Sequence, residues 1–379
     1  MLGPEIEFVE RDYVLYEGKK LLYLAGIDYH RMSNHPMIIE TMSDAAYKYG
    51  LNPTGSRTTT GNHSLYIQLE KKVAEFFSSE TATVFTSGYL SNMILLQTIA
   101  EDFDVFLIDE AAHSSIVDAS KLFDKKIIKY KFLDSQHLKE QLRKNISGNS
   151  KILIMTDGVF PARGDIPPLD EYAEILSDYN GKILIDDAHA MAVVGNTGKG
   201  SWEEKGIDRE LIYQTGTLSK GFGTFGGIIP GSAELIKKIQ KKSDAYVGST
   251  GLALPLAAAA IKSISYIKSN QRLIHELQQK TLVLKEKFAD LGFEMPMTSA
   301  PIFSITLNDV EKNKMLKNIF VENGIYPSFI NYPGAPPGGH FRFIITSTTT
   351  DEQIELLFDT IKSAFSILGF RDGIRKYGS

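Results

Sequence analysis

Gly216-Thr217-Leu218-Ser219-Lys220-Gly221-Phe222-Gly223-Thr224-Phe225-Gly226-Gly227 sets one lysine between small hydroxyl residues and a run of glycines. A lysine that must reach an aldehyde carbon needs neighbours that let backbone and cofactor approach closely. Upstream, 34 positions before the lysine (220 − 186), Asp186-Asp187-Ala188-His189 closes an apolar run. A carboxylate at a strand end can keep a pyridine nitrogen protonated. Together these residue types point to pyridoxal-phosphate (PLP) chemistry, in which a lysine forms a Schiff base and the ring acts as an electron sink.

Outward from this stretch, short apolar runs alternate with amphipathic segments, the pattern of a mostly parallel sheet covered by helices. The expected strands are residues 81–85, 105–108, 151–155, 182–185 and 227–229. Their near-continuous hydrophobicity suits strands buried on both faces. Helical spacing appears over 64–77, 91–99 and 169–178. From about Gln271 the texture changes to a long charged helix, 271–291, and then to short elements at 300–307, 315–322, 341–345 and 352–368. The division expected is an N-terminal arm and helix over 1–48, a large cofactor-binding domain over 49–270, and a smaller C-terminal α+β domain over 271–379. The small domain could share its sheet with the N-terminal arm.

Composition narrows the function classes. The chain has 379 residues, 43% hydrophobic and 23% charged, ordinary for a globular protein with an ample core. Its 41 basic and 46 acidic residues leave a net charge of −5, so nothing argues for a nucleic-acid partner. Clusters such as Lys237-Lys238 with Lys241-Lys242 read as a solvated helix face. There are no cysteines, which excludes a disulfide framework, a thiolate metal site and a cysteine nucleophile. The eight histidines do not cluster with carboxylates at ligand spacing, so no metal is expected. Met1-Leu2-Gly3-Pro4-Glu5-Ile6-Glu7 lacks the basic-then-apolar pattern of a signal peptide. The greasiest stretch, 251–261, is far short of a membrane span. The expectation is a cytoplasmic protein with no transmembrane segment.

Several strand ends carry candidate chemistry. Thr86-Ser87-Gly88-Tyr89-Leu90-Ser91-Asn92 follows a strand and opens a helix, a junction whose free N–H groups suit a phosphate, or one in which Ser91 is simply an N-cap. Asp109-Glu110-Ala111-Ala112-His113 follows the next strand, where ligands sit in open α/β sheets. His113 there could stack on a flat cofactor, or be structural. Thr156-Asp157-Gly158-Val159-Phe160-Pro161 ends a further strand. Asp186 and His189, three apart, can touch one planar ring from the same loop. Gly221-Phe222-Gly223-Thr224-Phe225-Gly226 matches the G-x-G-x-x-G spacing of a dinucleotide site, but a strand follows rather than a helix. Gly198-Lys199-Gly200-Ser201 resembles the tail of a phosphate loop without its leading glycine, and reads as a turn.

The order and spacing of these motifs resemble those of the α-oxoamine synthases, a family of fold-type-I PLP enzymes. The likeness runs from about Asp28 to the last helix. It includes Gly55-Ser56-Arg57 with Gly61, Ser87-Gly88-Tyr89, Asp109 with His113-Ser114-Ser115, Asp157-Gly158-Val159-Phe160, Asp186-Asp187-Ala188-His189, Thr217 to Gly223, and Arg342. The resemblance implies an α/β fold, with a mostly parallel seven-stranded sheet between helices and a smaller α+β C-terminal domain. It implies that Lys220 holds PLP and later acts as acid/base at the substrate α-carbon. Asp186 would pair with the pyridinium nitrogen, His189 with the ring oxygen, and His113 would stack on the ring. Ser87, Gly88, Tyr89 and Thr217 would hold the phosphate, with Asp157 also at the cofactor and Thr250 reaching it across a dimer interface. Arg342 would grip the amino-acid carboxylate, with Arg57 and Asp28 also on the substrate side. Implied too are a homodimer with its active site at the interface, and condensation of an amino acid with an acyl-CoA or other acyl thioester, decarboxylative in most members.

The chain departs from the family at Ile27, where an asparagine is usual, at Pro161, which has no N–H to donate, and in the bulkier Ala190-Met191-Ala192 run. Substrate choice is expected to lie with residues such as His30, Arg31, Phe329, Asn331 and Tyr332. Two other readings keep the scaffold: an aminotransferase or decarboxylase, and a binding module without catalysis. Retention of Lys220, Asp186 and Arg342 argues against the last.

Overall fold

Val105-Phe106-Leu107-Ile108 offers water no polar face, and with Asp109 it forms a strand buried along its whole length. Ile152–Asp157 behaves the same way. Fully burying one such side chain contributes roughly 1.5–3 kcal/mol, so runs of this kind are driven to the middle of a sheet. In the computed structural model, which describes residues 3–146, 148–307, 309–331 and 338–368, these strands lie in a sheet of seven. Across the sheet the order is Thr81–Phe85, Gly227–Gly231, Ile212–Thr217, Gly181–Asp186, Ile152–Asp157, Val105–Asp109 and Lys126–Tyr130. Gly227–Gly231 is antiparallel to both neighbours, and the other pairings are parallel.

All five expected strands are present, each within two residues of the expected limits. Two more were not foreseen. Lys126–Tyr130 is an edge strand that exposes three of its five residues, so its sequence lacks the buried-strand texture. Ile212–Thr217 buries Gln214, Thr215 and its last residue, Thr217, because those polar groups are bonded inside the protein. The helices Ser64–Phe77 and Ser91–Ile99 fall as the spacing predicts. The first buries Leu65, Leu69, Val73, Phe76 and Phe77 on one face.

By its contacts the chain divides into two units. One consists of Met32–Phe160 with Ile166–Ile274 and holds the seven-stranded sheet. The other takes the arm up to Arg31, the short segment Pro161–Asp165, and the chain from His275 onward. In this second unit Ile302–Ile305, His340–Ile344 and Phe329–Ile330 make an antiparallel sheet against a core that includes Phe288, Phe303, Phe320, Phe341 and Phe343. Helix Asp351–Ile367 starts with a capping box between Thr350 and Gln353.

Among the described residues the arm is joined to that sheet only through single bonds, a parallel bridge of Leu22 with Ile325 and Ile344 N–H to Leu24 O at 3.0 Å. It builds its own from Glu7–Glu10, Tyr13–Tyr16 and Lys19–Leu22, and Leu22 bonds to the chain at Gly324 and Tyr326.

Candidate active site

The parallel strands end at one edge of the large sheet, and their register aligns what they carry. Asp157 lies opposite Asp186, and Asp186 opposite Thr215. At this edge a cavity of about 260 Å³ opens. Ser87, Gly88, Tyr89 and Thr217 line it, together with His113, Asp157, Asp186, His189 and Lys220. The nine residues come from five separate stretches of sequence.

The lysine loop is a closed turn. Leu218 N–H donates to Gly226 O at 2.8 Å, the Thr217 hydroxyl donates to the same oxygen at 2.9 Å, and Gly223 N–H donates to Lys220 O at 2.9 Å. Gly226 holds φ 118°, a conformation that a side chain would strain. The glycines therefore serve this turn, and the strand Gly227–Gly231 follows it directly. Half-buried Lys220 projects from the loop into the cavity lining.

Asp186 is buried and accepts two hydrogen bonds, from Asn92 Nδ2 to Oδ2 at 2.6 Å and from Ala188 N–H to Oδ1 at 3.0 Å. Asp157 accepts the His113 N–H at 2.7 Å. Burial, then the charge of Asp186, pushes the Asp157 carboxyl well above the usual range, against the pull of the His113 N–H and Lys220. Burial pushes the His113 imidazole down, and Lys220 adds to this, while Asp186 and Asp118 oppose it.

The second aspartate of the pair has a different task. Asp187 Oδ1 accepts from Ser201 N–H and Oγ at 3.2 and 2.6 Å, and Oδ2 accepts from Gln214 Nε2 at 2.7 Å. It is fully buried and faces its own loop, where burial raises its carboxyl to about 6. Met191 is also buried, its sulfur against Gly216 and its carbonyl against Gly221. The bulk of the 190–192 run is thus taken up beneath the lysine loop.

The residues present fit PLP. Ser87, Gly88 and Tyr89 form the turn that opens helix Ser91–Ile99, which suits a phosphate, and a Cβ at Gly88 would come within 2.6 Å of Thr217 Cβ. A buried carboxylate for a ring nitrogen, an imidazole for the ring and a lysine amine complete the set. Sequence reasoning gave no role to Ser219, whose hydroxyl bonds Thr217 Oγ1 at 2.8 Å and lines the cavity, nor to Ser115 and Asn92. Asn92 had no signal of its own: only the fold shows it beside Asp186.

Other expected site residues are not among those that line the cavity. Thr250 is exposed and pairs with Ser56 through an isolated bridge. Arg57 turns its fork onto Glu70 and Asn62, with Nη2 3.0 Å from Glu70 Oε2, and lies over the Tyr66 ring. Asp28 and Arg342 belong to the second unit. Arg342 Nη1 donates to Pro161 O at 3.3 Å, and its Nε is buried with no hydrogen-bond partner. Arg31 stitches the arm through Asp12 at 3.1 Å and Tyr23 O at 2.6 Å, while Phe329 packs on Phe341. Tyr332 lies outside the described residues. Among the described residues no helix is long and apolar enough to cross a membrane, and no group of side chains is placed to hold a metal ion.

A family model described as aminotransferase class I and II matches residues 19–361. The chain is 31% identical over 363 residues to 8-amino-7-oxononanoate synthase 1 of Bacillus velezensis, covering 95% of this chain and 92% of that protein. It is 32% identical over 362 residues to the 8-amino-7-oxononanoate synthase of Alkaliphilus oremlandii, covering 95% and 91%. Among solved structures, serine palmitoyltransferase of Sphingomonas wittichii superposes with a TM-score of 0.89 at 26% identity, covering 97% of this chain and 94% of that one. An 8-amino-7-oxononanoate synthase from Francisella tularensis gives 0.77 at 25% identity, covering 92% and 99%.

Proposed function

The chain belongs to the α-oxoamine synthase family of PLP-dependent transferases, and from that premise we propose that it condenses an amino acid with an acyl-CoA, releasing CoA and carbon dioxide and leaving an α-aminoketone. The observation that carries this reading is Lys220 and buried Asp186 in one cavity, at the ends of elements that the sheet holds in register. PLP, when bound, supplies a protonated pyridine ring that accepts the electron pair left on the substrate α-carbon.

Each residue then has a stated task. Lys220 Nζ holds the cofactor until the amino acid arrives, and afterwards takes the α-proton. Asp186, fixed by Asn92 and Ala188, keeps the ring nitrogen charged. His189 bonds the ring oxygen, His113 lies against the ring, and the Ser87–Tyr89 turn with Thr217 receives the phosphate. Arg342 grips the α-carboxylate, a role that its partnerless Nε supports. Asp28 and Arg57 are assigned to the substrate side on family likeness, although the engagement of Arg57 with Glu70 suits a structural role. The protein acts in the cytoplasm as a homodimer, exposed Thr250 serving the partner's phosphate site.

Two measurements test the reading. The purified protein is expected to show a visible band that borohydride removes, and Lys220→Ala to lack it. Release of CoA is expected only when amino acid and acyl-CoA are both present. A protein that takes up no PLP overturns the assignment, and conversion of PLP to its amine form by the amino acid alone favours an aminotransferase.

A further inference from the structure

One chain of hydrogen bonds leads from Asp186 to His113, and each of its directions is set by chemistry. A carboxylate accepts only, so the Asn92 atom 2.6 Å from Asp186 Oδ2 is the amide nitrogen. That fixes the other end of the amide as oxygen, which receives the Thr215 hydroxyl at 2.8 Å. The second amide hydrogen of Asn92 goes to Ser115 Oγ at 2.9 Å. Ser115 Oγ also lies 2.8 Å from His113 Nδ1, and its hydrogen is free to turn there where that nitrogen is an acceptor. The Ser115 backbone N–H points at the same nitrogen from 3.2 Å. With two donors aimed at it, Nδ1 has no room for a proton of its own. Asn92 is fully buried and Ser115 nearly so, so water does not compete for these bonds.

We propose that Asn92 and Ser115 are positioning residues that lock His113 in its neutral form with the proton on Nε2, making it a standing hydrogen-bond donor at the edge of the cavity. This rests on the reading that the cavity holds the cofactor and substrate. The groups around the imidazole are Asp186, Lys220 and Asp118 by charge, the Tyr89 ring edge-on at 6.1 Å, and Asp157, which takes the His113 backbone N–H. The lowered basicity of His113 agrees with the lock, because protonating Nδ1 would break two bonds. One asparagine thus sets the carboxylate and, through Ser115, the tautomer of the imidazole.

The test is nitrogen NMR on protein labelled at histidine, with His113 assigned by its loss in His113→Gln. Wild type is expected to show Nε2 protonated and Nδ1 bare, with a midpoint lowered from the ordinary imidazole value of ~6.5. Ser115→Ala is expected to give mixed tautomers and a higher midpoint, and to move the acid limb of the kcat/KM profile upward, whereas Ser115→Thr restores both. A wild-type His113 protonated on Nδ1 overturns the proposal, even if no Ser115 variant folds. So does a Ser115→Ala protein with tautomer and midpoint unchanged. The tautomer is read without added PLP, so failed cofactor uptake would count against the proposed function and not against the lock.

Discussion

Asp186 and Asp187 stand side by side in the sequence and do opposite work, and only their partners separate them. Asp186 faces the cavity with Asn92 behind it. Asp187 faces away and ties its loop to Ser201 and Gln214. Asp186→Asn is expected to lower kcat on the order of 10²–10³-fold with folding retained, read by steady-state kinetics beside a thermal melt. Asp187 should instead govern stability. Its native carboxyl, at about 6, holds a proton more tightly than an unfolded aspartate at about 3.9. The native state therefore binds more protons between those values, and this group's contribution to stability falls as pH rises through them. In urea titrations, the stability of wild type relative to Asp187→Asn is expected to be greatest below about pH 4 and to shrink by on the order of 3 kcal/mol once the pH has risen past about 6. A constant difference would assign the raised carboxyl elsewhere. The acidic pair and the lysine were legible in sequence, but the partners that tell one aspartate from the other were not, being up to 94 residues away.

Elements were legible where burial is uniform and illegible where it is mixed. Strands 105–109 and 152–157 announce themselves because every residue is inside. Ile212–Thr217 does not, because its polar residues are buried in bonds to other elements. Two helices, Ser64–Phe77 and Ser114–Ser120, are capped by histidines, His63 and His113, rather than by the usual small polar residues. Sequence rules pass over such caps. The phosphate-side turn gives a test at this scale. Gly88→Ala pushes a methyl group against Thr217 and moves the turn, so PLP affinity in reconstitution of the apoprotein is expected to fall roughly tenfold. Unchanged affinity would place the phosphate elsewhere.

At the scale of the molecule, the assembly of copies is the property least visible in one chain. Thr250 is exposed, and its proposed use by a partner predicts a dimer by sedimentation. Thr250→Val is then expected to weaken PLP binding by about 10-fold or more while the dimer persists, since a hydrogen bond to a charged group is lost. A monomer that binds PLP at full affinity would refute this. The change of texture near Gln271 was legible in the sequence. The return of Pro161–Asp165 to the second unit was not, because it depends on bonds such as Thr298 Oγ1 to Gly164 O at 2.6 Å and Ser304 Oγ to Ala162 O.

That second unit draws on both ends of the chain, and its arm is tied in by Leu22 N–H to Gly324 O at 2.7 Å. The two residues are 302 positions apart (324 − 22). A ribosome adding about 5–20 residues per second needs roughly 15–60 s to travel between them. For that interval the strands of the arm emerge with no partner beyond their own hairpins, while the large sheet can already form. The order of synthesis therefore leaves the arm waiting for its partner strands through most of translation, open to a chaperone or a protease while it waits.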